Sequence, residues 1–158
     1  MPKTLMLMRH GQYTSGETLL NTVGHEQVDD VAAQLAAAGL VPDVILHSPT
    51  PRAAETATRV RDVFNRVCGI DVPMQARSGL SVESKTCPVD ITGALDSNVQ
   101  TALVVSHQPN IYCVMKEIFG KVAPPHHAEA YVLEGDTAGW PGFHGRMAAG
   151  FRPKILSL

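Results

Sequence analysis

The chain has 158 residues, of which 44% are hydrophobic and 18% are charged. This length fits one domain, and this composition excludes a disordered or collagen-like protein. Because the net charge is −2, the sequence lacks the broad basic surface of a nucleic-acid-binding protein. Any anion that the protein binds must therefore be held by a few placed cations rather than by bulk charge.

The apolar runs and the cysteines indicate the cellular setting. No apolar run approaches the ~18 residues that a membrane-spanning helix needs. Cys68, Cys87 and Cys113 are odd in number and form no CxxC pair, a pattern that favours reduced thiols over a disulfide framework. We expect each thiol to be a small buried hydrophobe rather than a nucleophile. The sequence predicts a cytoplasmic protein without membrane or nucleic-acid partners, and it leaves the oligomeric state open.

Short strand-like runs alternate with longer helical runs along the chain. In chain order we expect a strand at 3–8, a helix at 26–38, a strand at 44–47, a helix at 51–67, a strand at 72–76, a short helix at 90–96, a strand at 100–106, a helix at 109–119 and a strand at 128–133. Thr50 can cap the second helix and Pro51 can open it. Residues 139–158 show no readable pattern. The alternation predicts an α/β fold, a three-layer αβα sandwich with a mostly parallel central sheet, built as a single domain over residues 1–158.

Three of the predicted strands end in residues that suit an anion. They are Arg9, His10 and Gly11 after the first strand, Arg52 after the second, and His107 after the strand at 100–106. Ligands of parallel α/β sheets lie beyond the carboxyl ends of the strands, so these residues are candidates for one site. Each has a simpler interpretation by itself: a solvated strand end for Arg9 and His10, a pair with Glu55 for Arg52, and a structural role for His107.

Taken together, the two arginines and two histidines predict a pocket for one phosphate-sized anion. Guanidinium groups grip two phosphoryl oxygens at once with their fixed fork. A neutral imidazole can attack phosphorus and form a covalent phosphohistidine when its other ring nitrogen is held by a backbone carbonyl. Gly11 allows a sharp turn and lets a ligand come close to the backbone.

These residues resemble the histidine phosphatase superfamily, also called phosphoglycerate-mutase-like. The likeness covers Arg9-His10-Gly11, the helix entry from Leu20 through Gly24 to Gln27, the block DVILHSPTPRAAETA at 43–57 and the block VVSHQPN at 104–110. The resemblance implies a phosphoglycerate-mutase-like fold, with His10 as the nucleophile that becomes phosphorylated. It implies that Arg9, Arg52 and His107 bind the phosphoryl group, with Gly11 beside it. It also implies that water releases phosphate from His10, and that neither a metal nor an organic cofactor takes part.

Length narrows the resemblance to one branch of the family. Longer members insert a helical lid and substrate loops, whereas the corresponding region of this chain, residues 69–99, is short. The chain is therefore most similar to the short bacterial branch typified by the SixA protein-phosphohistidine phosphatases. This implies a phosphorylated protein, such as a phosphotransfer domain of a signalling relay, as the partner. A small phosphorylated substrate is the alternative.

One departure from the family pattern concerns the general acid. Many ester-cleaving members carry a glutamate in a Leu-x-Glu pattern, whereas here Val82 stands at the glutamate position after Leu80, and Glu83 comes one residue late. A placed acid contributes about 10²–10⁴-fold to leaving-group departure, and the labile P–N bond of a phosphohistidine needs it less. The offset favours phosphohistidine as substrate, while Glu83, or another acid such as Asp90, stays a candidate general acid.

Other interpretations have less support in the sequence. His126 and His127 invite a metal site, but neighbours on a strand point to opposite faces and no partner lies at a known metal spacing. We predict no metal site there, although either residue can line the rim of the pocket. His25, His47 and His144 are expected to be structural or exposed. Two alternatives to the phosphohistidine phosphatase stay open, a broad small-molecule phosphomonoesterase and a catalytically silent phosphate-binding module.

Overall fold

The computed structural model describes residues 2–82, 91–108, 110–119, 125–136 and 138–155. Its strands are β1 (Thr4–Arg9), β2 (Val44–His47), β3 (Met74–Ala76), β4 (Thr101–Ser106), β5 (Ala130–Gly135) and β6 (Gly145–Phe151). They form a six-stranded sheet with the order β3-β2-β4-β1-β5-β6. The first four strands run parallel, whereas β5 is antiparallel to β1 and β6 is antiparallel to β5.

Helices cover both faces of this sheet. Side chains alternate between the two faces along each strand. On one face, residues such as Met6 pack with α1 (Thr22–Ala37) and α2 (Pro51–Cys68). On the other face, residues such as Leu5 pack with α3 (Asn110–Phe119). The three-layer αβα sandwich with a mostly parallel sheet is thus confirmed.

Side-chain capping sets the start of α1. The helix begins at Thr22 rather than at the predicted residue 26, because the Asn21 side chain accepts a hydrogen bond from the Gly24 N–H at 2.8 Å. The Asn21 oxygen supplies an acceptor for one of the first helical N–H groups, which have no acceptor within the helix. The first turn carries few apolar residues, so the hydrophobic period alone placed the start too late.

The second helix lies close to its predicted bounds. Pro51 opens α2, and Gly69 follows its end in the left-handed conformation at φ 70°. Thr50 occupies the N-cap position, but its side chain makes no capping hydrogen bond, contrary to prediction. Its hydroxyl instead lies 2.9 Å from the His107 ring nitrogen Nε2. A long-range contact has therefore replaced the local one.

Three further elements differ from the predictions. β6 lies in the tail that showed no pattern, at the sheet edge, where most of its residues are partly or fully exposed. β5 begins two residues later than predicted, because Ala128 adopts φ 61° in a turn before it. β3 is shorter than predicted, at three residues. The predicted short helix at 90–96 falls partly outside the described residues, which show helical structure at positions 91 and 92.

The cysteines differ from the expected buried positions. Cys68 and Cys113 are exposed free thiols, and Cys87 lies outside the described residues. Cys68 is the last residue of α2, and Cys113 lies on the exposed side of α3. Among the described helices, none is long and apolar enough to cross a membrane.

Candidate active site

The order of the strands brings three strand ends together. β2, β4 and β1 are parallel neighbours, so their carboxyl ends meet at one edge of the sheet. The backbone ladder continues past these ends, since the His10 N–H donates to the Ser106 oxygen at 3.1 Å and the Ser48 N–H donates to the Val105 oxygen at 3.0 Å. His10, Ser48 and His107 consequently emerge side by side. The structure places the predicted strand-end residues in one place.

His10 is a buried imidazole with one nitrogen already engaged. His10 is only 3% exposed, and its Nδ1 lies 2.8 Å from the Gly11 carbonyl oxygen. Because a carbonyl only accepts, the neutral ring carries its proton on Nδ1, which leaves the lone pair on Nε2. Burial lowers the pKa of His10 to about 3. The hydrogen bond to the Gly11 carbonyl opposes this shift, and electrostatic interactions with His107, Arg52 and Arg9 add to it. His10 is therefore neutral at pH 7.

Two glycines allow the loop after β1 to lie against α1. A Cβ on Gly11 would lie 2.9 Å from the Gly24 oxygen, and a Cβ on Gly24 would collide with the Gln12 backbone. Thr56 then connects this loop to α2: its hydroxyl accepts from the Gly11 N–H at 3.2 Å and donates to the Arg52 oxygen at 2.8 Å. The backbones that carry His10 and Arg52 are thus held together.

Both candidate arginines keep a buried donor without an acceptor in the described part of the chain. Arg9 donates through Nη1 to the Pro125 oxygen at 3.0 Å, and burial lowers its pKa. Its Nε, and the Nε of Arg52, are buried and have no hydrogen-bond partner among the described residues. Buried donors are rarely left unsatisfied in folded proteins. Two such guanidinium donors beside one imidazole are the arrangement that an anionic ligand would complete.

Glu55 does not neutralise Arg52, although it lies one helical turn further along α2. Its Oε1 accepts a hydrogen bond from the Leu20 N–H at 2.8 Å and lies 3.4 Å from His25 Nε2. The simple surface pair between Arg52 and Glu55 is therefore absent. The positive charge of Arg52 stays available to a ligand.

His107 is held by two hydroxyl groups. It is 1% exposed, and its Nε2 lies 2.8 Å from Ser48 Oγ and 2.9 Å from Thr50 Oγ1. Its ring centroid lies 5.1 Å from that of His10, at an interplanar angle of 64°. Ser48 and Thr50 thus fix the ring next to the candidate nucleophile. Neither hydroxyl was assigned this role from the sequence.

Tyr13 and His127 complete the surroundings of His10. The Tyr13 ring centroid lies 5.5 Å from that of His10 and the His127 ring centroid lies 5.7 Å from it. Burial lowers the pKa of His127 to about 4, and the charges of Arg9 and His126 add to this effect. From the sequence, either His126 or His127 could line the pocket rim, and Tyr13 was not predicted. Its position, two residues after Gly11, is the signal that could have identified it.

Glu129 fixes the turn that carries His127. Its buried carboxylate accepts from the His126 N–H at 2.9 Å through Oε1 and from Arg152 Nε at 2.8 Å through Oε2. Its backbone oxygen accepts from the Arg9 N–H at 3.2 Å. His126 and His127 precede β5 instead of lying on a strand, so the strand argument against a shared metal does not apply to them. Across the described residues, no group of three or more His, Cys, Asp or Glu is placed to hold a metal ion.

The other histidines lie outside this pocket. His47 is buried, with Nδ1 2.9 Å from the Ser48 carbonyl oxygen. His25 lies near Glu55, as described, and His144 is exposed with Nδ1 3.3 Å from a carboxylate oxygen of Asp136. These positions agree with structural or exposed roles.

The candidate acid Glu83 and its alternative Asp90 lie outside the described residues. The chain before them is anchored beside the pocket: the Leu80 carbonyl oxygen accepts from Ser106 Oγ at 3.0 Å, and the Ser81 carbonyl oxygen accepts from Asn110 Nδ2 at 3.2 Å. The role of Glu83 stays a prediction.

Comparison with known proteins agrees with this geometry. Residues 5–81 match the model of the histidine phosphatase superfamily (branch 1). No curated protein matches the chain in sequence. The structure is similar to a crystal structure from Agrobacterium tumefaciens that is described as phosphohistidine phosphatase SixA. The TM-score is 0.80 at 18% identity, over 96% of this chain and 99% of that one.

Two further solved structures share the fold. The protein histidine phosphatase SixA complexed with tungstate has a TM-score of 0.75 at 22% identity, over 95% of this chain and 97% of that one. A mycobacterial glucosyl-3-phosphoglycerate phosphatase has a TM-score of 0.65 at 15% identity, over 96% of this chain and all of that one, 100%. These likenesses concern the fold, whereas the sequence match covers the segment with Arg9, His10 and Arg52. Residues 5–81 therefore match the histidine phosphatase superfamily in sequence, and the chain as a whole has a phosphoglycerate-mutase-like fold.

Proposed function

We propose that the protein is a metal-independent phosphatase that acts through a covalent phosphohistidine on His10. The observation that carries this proposal is the state of the His10 ring. It is buried and neutral, and its Nδ1–H is directed to the Gly11 carbonyl, so that Nε2 keeps its lone pair. Beside it, Arg9 and Arg52 each keep a buried Nε–H group that has no acceptor among the residues that the structure describes. A nucleophile next to two fixed cations is what phosphoryl transfer requires.

In the first step, the Nε2 lone pair of His10 attacks phosphorus. A P–N bond to His10 forms while the bond from phosphorus to the leaving group breaks, and the leaving group takes the bonding pair and, from solvent water, a proton. Arg9 and Arg52 stabilise the charge on the phosphoryl oxygens, because preorganised donors act most strongly in a buried site. His107 contacts the phosphoryl group while Ser48 and Thr50 hold its ring through Nε2.

In the second step, water attacks the phosphorus of the phosphohistidine. The new P–O bond replaces the P–N bond, whose electron pair returns to Nε2. The attacking water loses a proton to solvent, phosphate leaves, and His10 returns to its neutral form. The Gly11 carbonyl keeps the proton on Nδ1 throughout, so that the nucleophilic nitrogen is the same in each cycle.

The substrate class that we propose is phosphohistidine on a protein, such as a phosphotransfer domain. Val82 stands where ester-cleaving relatives carry a glutamate, and its side chain is 39% exposed. A phosphohistidine has a less demanding leaving group than an ester. The short region at 69–99 leaves little chain for a lid, which suits a phosphoryl group presented by a protein. The likeness to the SixA structures supports the same choice. A cytoplasmic location is part of the proposal.

The test compares two variants on two substrates. For the wild-type protein we expect kcat/KM to be much higher for a phosphohistidine peptide than for an activated aryl phosphate. His10→Asn should abolish turnover of both and should trap no phosphoryl group after acid-free quenching. His144→Asn changes an exposed histidine and should leave both rates unchanged.

Each other outcome selects an alternative. Substantial turnover by His10→Asn contradicts the proposed nucleophile. A preference for the aryl ester that is lost in Glu83→Gln indicates a small-molecule phosphomonoesterase. Binding of inorganic phosphate without turnover of either substrate indicates a silent binding module.

A further inference from the structure

The guanidinium of Arg52 has no carboxylate partner among the described residues. It lies in the first turn of α2, where a cation opposes the helix dipole. Its nearest acid along the helix, Glu55, is bonded to the Leu20 N–H and lies against His25. Its Nε has no partner among the described residues. Any contact that orients this side chain within the described structure is therefore not a carboxylate.

The aromatic ring of Tyr13 lies against this guanidinium. The Arg52 Cζ atom is 4.5 Å from the ring centroid, within the range of a cation–π contact. The same ring lies 5.5 Å from His10, so it contacts both the cation and the candidate nucleophile. The described structure gives the phenol hydroxyl no hydrogen bond, so the ring itself makes the contact.

The backbone of Tyr13 is anchored to α2. Tyr13 forms an antiparallel bridge with Leu20, whose N–H donates to the Glu55 carboxylate. The Asn21 N–H donates to the Gln12 carbonyl oxygen at 3.1 Å, which closes the same loop. The loop that presents the ring is thus tied to the helix that presents Arg52, three residues before Glu55.

We propose that Tyr13 is a positioning residue whose ring holds the Arg52 guanidinium beside the phosphoryl group on His10. This rests on the proposed function. A carboxylate could hold the guanidinium too, but it would neutralise the charge and compete with the phosphoryl oxygens for the same N–H groups. A neutral ring contacts only the face of the guanidinium and leaves its N–H edges and its charge to the ligand. Tyr13 thus orients Arg52 without weakening it.

The experiment measures the affinity for orthovanadate by calorimetry, together with kcat/KM. Tyr13→Leu should lower both by about tenfold, equivalent to about 1.4 kcal/mol, while Tyr13→Phe should stay within about twofold of wild type. Pentafluorophenylalanine at position 13 keeps the shape of the ring but removes its negative face, and it should behave like Tyr13→Leu. This second change addresses the case in which the leucine variant folds poorly.

A double-mutant cycle tests whether Tyr13 acts through Arg52. In an Arg52→Ala background, Tyr13→Leu should cause no further loss of vanadate affinity. Leu19→Ala, at an exposed position of the same loop, should leave the affinity unchanged. Equal affinities of wild type and the leucine or fluorinated variants overturn the inference, and so do fully additive effects in the cycle. A wild-type protein that binds vanadate without turnover contradicts the proposed function, yet the binding cycle still decides the role of Tyr13.

Discussion

Acid should destabilise this protein through His10 more than through an ordinary histidine. Burial is the main reason that the pKa of His10 falls from 6.5 to about 3 in the folded state. Between pH 6.5 and about pH 3, the His10 ring is protonated in the unfolded chain but not in the folded protein. The free energy of unfolding therefore decreases as the pH falls through this window, and it is insensitive to this group above pH 7.

The size of the effect follows from the shift. One pKa unit corresponds to about 1.4 kcal/mol, so a fall to about 3 corresponds to roughly 5 kcal/mol over the whole window. At pH 5, more than one pH unit below the pKa of the unfolded chain, the His10 ring is almost fully protonated in that chain. We therefore expect the free energy of unfolding to be lower by roughly 2 kcal/mol through His10. That is a large part of the stability of a small domain.

Urea unfolding at pH 7 and pH 5 measures this effect in wild type and in His10→Gln. The wild-type protein should lose roughly 2 kcal/mol more than the variant between the two pH values. His127 and the carboxylates titrate in both proteins and cancel in the difference. The buffer must not contain phosphate, because a bound anion favours the protonated ring. His144→Gln, which changes an exposed histidine, should follow wild type. Parallel pH dependence of wild type and His10→Gln would refute the view that His10 is neutral and buried.

Three other measurements test the geometry of the site. Gly24→Ala should lower the free energy of unfolding by about 1–3 kcal/mol in urea titrations, because the added methyl group meets the Gln12 backbone. Thr50→Val removes a hydroxyl group 2.9 Å from His107 and should reduce kcat/KM roughly tenfold, while Thr50→Ser should retain most of it. In the pH profile of kcat/KM, which reports the free enzyme, the acidic limb due to His10 should lie well below pH 6. A limb near pH 6.5 that persists after correction for substrate ionisation contradicts a pKa of about 3 for His10.

Much of the fold could be predicted because its central elements carry strong local signals. β2 matches its predicted bounds, and α2 differs by one residue, since a buried apolar run and a Pro–Gly pair mark them. The elements that were missed or shifted lack such signals. β6 is an edge strand with many exposed residues, so no run of apolar residues marks it. The start of α1 depends on the side chain of Asn21, which a hydrophobic period does not detect.

The candidate site was predictable where one short motif carries it. Arg9 and His10 are neighbours in sequence, and the parallel order of β1 and β4 brings His107 beside them. Tyr13 and Ser48 were missed for a different reason. Their roles depend on which side chain they meet across the sheet edge, and a single sequence does not contain those distances.

The start of α2 shows how the site departs from local preference. Thr50 stands at the N-cap position but directs its hydroxyl to His107, Arg52 opposes the helix dipole, and Glu55 bonds a neighbouring loop instead of the arginine. Each choice weakens the helix end by itself. Each also serves the pocket, because it fixes an imidazole, presents a cation, or keeps that cation free of a counter-charge. Consistent departures of this kind at one turn are expected where a protein gives up local stability for function. The contact of Arg52 with the ring of Tyr13 is then the compensation, since it supports the cation without cancelling its charge.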